Sequence, residues 1–120
     1  MAVQDIPPAI QEKLKQLEML RQQINLLAAQ KEQISSDLYE TDLAIKTLET
    51  LDANEDIYKS VGRILVKKPA GTVLEELMDR KETLDLRKAT IDKQESRMKK
   101  QFEEKQKSLT ENVENLSQFS

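Results

Sequence analysis

The proton-moving groups of this sequence are carboxylates and amines: 22 Asp and Glu stand against 19 Lys and Arg in 120 residues, with no His and no Cys. Paired carboxylates do acid–base chemistry only where a pocket drives their pKa values apart. Without Cys and His, thiol nucleophiles, disulfides, the usual zinc ligands and the commonest general base are all missing. No G-x-x-x-x-G-K-[ST] phosphate loop occurs either. The local motif with a defined physical role is Thr72-Val73-Leu74-Glu75, a T-x-x-E capping box whose hydroxyl and carboxylate satisfy backbone N–H groups at a helix start. We therefore assign no catalytic residue, no metal ligand and no cofactor, and expect a binding protein, not an enzyme.

The elements that would carry such binding are helices. Charged residues make up 34% of the chain and hydrophobic ones 38%, but aromatics only 3%, with no Trp, so little material exists for a globular core. Gly and Pro number two and three and cluster near Pro7, Gly62 and Pro69 to Gly71, which leaves two long uninterrupted stretches. No apolar run reaches the ~18 residues of a membrane span, and Met1 to Ile10 lacks the basic and apolar regions of a secretory signal. A cytoplasmic protein of one domain, residues 1–120, is expected. A net charge of −3 speaks against general binding to a phosphate backbone.

From Ile10 to Leu48, apolar residues fall in two columns seven apart: Ile10, Leu17, Ile24, Leu38 and Ile45 in one, Leu20, Leu27, Ile34 and Leu48 in the other. That is a coiled-coil seam, interrupted at Lys13, Lys31 and Thr41. Pro7 and Pro8 fit only at or before a first turn, so the helix is expected over about residues 8–53. A second helix, about 72–117, opens on the capping box. Its columns are Leu77, Leu84, Ile91 and Met98, and Leu74, Phe102, Leu109 and Leu116, with Lys81, Lys88 and Glu95 intervening. The weaker second seam predicts two helices packed antiparallel that need each other.

Between them, Ile57 to Val61 and Ile64 to Lys67 flank Gly62-Arg63, a Gly-X loop suited to a type II′ hairpin over about residues 56–68. In that register Val61 faces Ile64 on one side, while Ser60 faces Leu65 and Tyr58 faces Lys67 on the other. Apolar residues on both faces and two unpaired edges make a lone hairpin marginal in water, so pairing with hairpins of other subunits is expected.

The order helix, one hairpin, helix, together with Ile57-Tyr58-Lys59-Ser60-Val61-Gly62-Arg63-Ile64-Leu65-Val66-Lys67, resembles the β-type prefoldin subunits, above all the archaeal form. Ile6-Pro7-Pro8, Glu82-Thr83-Leu84, Leu86-Arg87, Thr90-Ile91 and Gln94-Glu95 with Arg97 add to the likeness, which covers nearly the whole chain. α-type subunits of that family carry two hairpins, and one is found here. The resemblance implies a mainly α fold, two long helices in an antiparallel coiled coil joined by one short β-hairpin that enters an inter-subunit β-barrel platform. It implies four copies of this chain with two α-type subunits, and capture of unfolded client proteins at the distal ends of the arms without ATP. Delivery to a group II chaperonin would follow, with no nucleic acid or membrane as partner.

In an antiparallel arm both chain ends lie at the tip, which nominates Ile6, Ile10, Leu14, Leu109, Val113, Leu116 and Phe119 as client contacts. Ile10, Leu109 and Leu116 equally continue the seam. Ile57, Val61, Ile64, Leu65 and Val66 are nominated for the assembly interface, against burial on the chain's own helices. Charged stretches such as Arg97 to Lys107 read as solvated helix faces. Acidic Glu111 and Glu114 offer a secondary docking surface for a basic chaperonin. The rival functions are an adaptor coiled coil docking one folded partner, which leaves the hairpin unexplained, and a nucleic-acid-associated coiled coil using Lys67, Lys68 and the Lys99-Lys100 region.

Overall fold

The computed structural model describes residues 6–118, in the order α1 (Pro8–Glu49), β1 (Asp56–Val61), β2 (Ile64–Pro69) and α2 (Ala70–Gln118). The chain is mainly α, two long helices with one antiparallel hairpin between them. The segments up to Gln30 and from Ile91 form one compact unit, and Lys31–Thr90 forms a second.

In the first unit, Ile10, Leu17, Leu20 and Leu27 are buried, all members of the two expected columns. Two polar contacts fix how the helices pass each other: Lys13 Nζ donates to Ser108 Oγ at 2.8 Å, and Lys105 Nζ donates to Gln16 Oε1 at 2.8 Å. Stepping forward by three on α1 steps back by three on α2, so the segments run antiparallel. Lys13, an interruption of the seam, thereby keeps its apolar stem at the seam while its ammonium reaches a hydroxyl across it.

In the second unit Ile34, Leu38, Ile45, Val73 and Leu84 are buried. Thr41 sits among them, and its hydroxyl donates to the Asp37 carbonyl at 2.7 Å, so a polar residue enters the seam with its hydrogen bond made. Lys81 Nζ stands 2.8 Å from Asp42 Oδ1, an ion pair linking the two helices. That hydrogen bond raises the Lys81 pKa above its ordinary value.

Two boundaries differ from the sequence reading. The first helix ends at Glu49, not near Ala53, and passes into tight turns in which Thr50 N–H donates to Thr47 and Leu51 N–H to Leu48. The second begins at Ala70, directly after the strand, which places Thr72 inside the helix instead of at its cap. The reason is shared. Carbonyls of the turn between α1 and β1 accept the first N–H groups of α2, Glu55 from Ala70 at 2.8 Å and Ala53 from Gly71 at 2.9 Å. Those carbonyls leave α1 and do the work a capping hydroxyl would have done. The hairpin itself has the expected register, with Val61 opposite Ile64, Ser60 opposite Leu65 and Tyr58 opposite Lys67. Gly62 has φ 59° and no non-Gly residue has positive φ among the described residues, the pattern of a type II′ turn.

Candidate functional site

Exposed apolar side chains occur along both helices, and two places where they accompany the nominated residues are the helix ends in the first unit and the hairpin in the second. The first forms where α1 starts and α2 finishes. Pro8 occupies the first helical position, where its missing N–H costs nothing. The Pro7 carbonyl accepts from the N–H groups of Ile10 and Gln11 at 3.0 and 3.1 Å, and Gln11 Nε2 folds back onto the Ile6 carbonyl at 2.7 Å. This local net holds Pro7 beside Ile10. Continuing the antiparallel register, Pro7, Ala9 and Ile10 meet Asn112, Asn115 and Leu116 around an open groove of about 320 Å³.

The nominated client contacts divide on this surface. Ile10 and Leu116 both line the groove, but Ile10 is only 7% exposed and also serves the seam, whereas Leu116 is open to solvent. Ile6 and Leu109 are half-buried. Leu14 and Val113 are exposed without lining the groove. Phe119 lies outside the described residues. Pro7, Ala9, Asn112 and Asn115 were not singled out from sequence, because none is a large apolar residue. The clue was available in their spacing, since Asn112 and Asn115 stand one turn apart with Leu116 on the same stretch of helix.

The second surface is the hairpin, whose two faces meet different surroundings. Ile57, Lys59, Val66 and Lys68 share the half-buried face. There Lys59 Nζ and Lys68 Nζ, one from each strand, reach Glu76 Oε2 and Oε1 on α2 at 2.9 and 2.8 Å. The Lys59 hydrogen bond, then that of Lys68, holds the Glu76 carboxyl at a pKa of about 2. Ile57 and Val66 are thus partly covered by their own chain. On the other face Tyr58 and Leu65 are 67% and 70% exposed; Val61 and Ile64 belong to the first face but, being at the turn, are also open. Tyr58, not among the nominated interface residues, is exposed on the same face as the nominated Leu65.

Three of the basic residues considered for a nucleic-acid surface stand beside acids. Lys67 pairs with Asp56 at 3.2 Å, Lys68 with Glu76, and Lys99 with Glu95 at 3.4 Å. Among the described residues no group of acids is arranged to hold a metal ion, and no helix is long and apolar enough to cross a membrane.

Comparison with known proteins agrees on one family. Residues 11–115 match the family described as prefoldin subunit. The chain is 39% identical over 84 residues to the prefoldin subunit beta of Pyrococcus furiosus, covering 70% of this chain and 72% of that protein. It is 35% identical over 82 residues to the corresponding subunit of Archaeoglobus fulgidus, covering 68% and 71%. Among solved structures, the prefoldin beta subunit from Thermococcus strain KS-1 superposes with a TM-score of 0.82 at 31% identity, covering 92% of this chain and 96% of that one.

Proposed function

This chain belongs to the prefoldin family as a β-type, single-hairpin chaperone subunit, and from that premise we propose that it is an ATP-independent holdase that captures unfolded polypeptides. Membership implies assembly with other prefoldin subunits. In the proposed complex four copies join two α-type subunits through their hairpins, and clients held by the helix ends pass to a group II chaperonin in the cytoplasm. Tyr58, Val61, Ile64 and Leu65 supply the assembly contacts. The groove of Pro7, Ile10 and Leu116, flanked by Leu14 and Val113, supplies the client contacts.

The observation that carries this reading is the uncharged groove, in a chain of which 34% is charged. An apolar depression left open by its own chain suits an apolar side chain that a folded protein would have buried. Each groove covers little area, so tight holding needs several acting on one client. The test is aggregation of several unrelated denatured proteins diluted into the complex of this chain with an α-type subunit, with no nucleotide present. Suppression of all of them is expected. Suppression of none, with tight binding to one folded protein, would instead identify an adaptor.

A further inference from the structure

The groove contains more than apolar surface. Asn112 and Asn115 line it together, one helical turn apart, and among the described residues neither side chain makes a hydrogen bond. The neighbouring polar side chain behaves differently: the Thr110 hydroxyl turns back onto the Gln106 carbonyl at 3.0 Å. On the α1 side Pro7 has no N–H, and its carbonyl is already taken by Ile10 and Gln11. The two amides are the polar side chains of the groove, and each presents one acceptor oxygen and two donor hydrogens.

Resting on the client-binding reading above, we infer that Asn112 and Asn115 bind the main chain of the client, making the groove a site for an extended apolar segment and not for isolated apolar side chains. The spacing suits this. Side chains three apart on a helix have Cβ atoms about 5–6 Å apart, while alternate peptide groups of an extended strand recur about every 6.6 Å and point the same way. A side-chain amide answers a peptide N–H through its oxygen and a peptide C=O through its NH2. The groove volume is of matching scale, because an apolar cavity of about 150 Å³ accommodates a benzene ring and this open groove measures about 320 Å³. It takes one or two client side chains. No lining residue is charged, so the pocket selects a neutral segment. Burying such a segment without the amides would strip water from its peptide groups and leave them unpaired.

The test uses the complex of the full chain with an α-type subunit and two fluorescent probes: a peptide of alternating Leu and Ser, and the same peptide N-methylated at alternate residues. The variants are Asn112→Leu with Asn115→Leu, and Leu116→Asp. Helicity and complex mass are confirmed first, and the α-type arms contribute a constant background. In the native complex the N-methylated peptide should bind more weakly. The double Leu variant should lose about three- to tenfold in affinity per amide for the unmodified peptide and should no longer distinguish the two probes. Tighter binding by the Leu variant, with no discrimination in the native complex, would overturn the inference while a loss of binding in Leu116→Asp still upheld the groove as the client site. If Leu116→Asp bound as the native complex does, both the groove reading and the role of the amides would fall.

Discussion

Gly71 lies so close to Ala53 that a Cβ at position 71 would stand 3.2 Å from the Ala53 Cβ and 3.3 Å from its carbonyl oxygen. The same carbonyl accepts the Gly71 N–H at 2.9 Å, so the contact cannot open without lengthening a bond that begins α2. Gly71→Ala should lower stability by roughly 1 kcal/mol, crowding outweighing the ~1 kcal/mol helix preference of Ala over Gly. A fall in the urea midpoint is expected. An unchanged or higher midpoint would show that the turn around Ala53 has room to yield.

The seam predicts a sharp contrast between two leucines on one helix. Leu84 is 4% exposed and Leu86 is 65% exposed. Leu84→Ala should cost about 2–5 kcal/mol, and Leu86→Ala should fall within about 0.5 kcal/mol of the parent. Thermal and urea unfolding of both variants decides it. Equal effects would mean that Leu86 packs on something the chain does not itself provide.

The heptad columns and the hairpin register were legible in the sequence because both rest on short-range periodicity. Leu17, Leu20, Ile34 and Leu38 are buried where spacing put them, and the Gly62-Arg63 turn forces the pairing of Val61 with Ile64. Long-range polar contacts were not legible. Nothing near Lys59 or Lys68 announces Glu76, and Ala70 gives no sign that the Glu55 carbonyl will take its N–H. The capping box at Thr72 misled for that reason, since a tertiary acceptor replaced the local one. At the groove, large apolar residues were found by type. Pro7, Ala9 and the two Asn residues appear only when the two helix ends are brought together.

The Glu76 bridge gives the hairpin an acid-sensitive tie to α2. Its carboxyl pKa falls from 4.5 to about 2, so the folded state prefers the charged form. The tie is complete above pH 4.5 and weakens as pH falls toward about 2. The protection of the hairpin amides against hydrogen exchange, relative to their intrinsic exchange rate at each pH, should therefore fall across that window. Glu76→Gln should exchange faster at neutral pH and show no step there. A step of equal size in both proteins would assign the acid response to another carboxylate.

Assembly through the exposed end of the hairpin is tested by Val61→Asp with Ile64→Asp. Both side chains are open in the single chain, so helicity should persist. Each would forfeit roughly 1.5–3 kcal/mol of burial in an interface and bring in a carboxylate costly to desolvate. Native mass spectrometry of the variant mixed with an α-type subunit should show no hexamer. A full hexamer mass would move the assembly contacts to the Tyr58 and Leu65 face or off the hairpin altogether.

The central claim is that clients are held where α1 begins and α2 ends, and the most direct measurement is light scattering of a denatured client diluted into complexes lacking those segments. Deleting residues 1–9 and 113–120 removes Pro7, Ala9, Asn115 and Leu116 while sparing the hairpin and most of the seam. With hexamer mass confirmed and no nucleotide added, the loss from four subunits should be more than proportional, because holding depends on several grooves engaging one chain. Collapse of aggregation suppression is the predicted result. A truncated hexamer that suppressed aggregation as well as the intact one would contradict the account and place the client contacts elsewhere on the helices or in the hairpin platform.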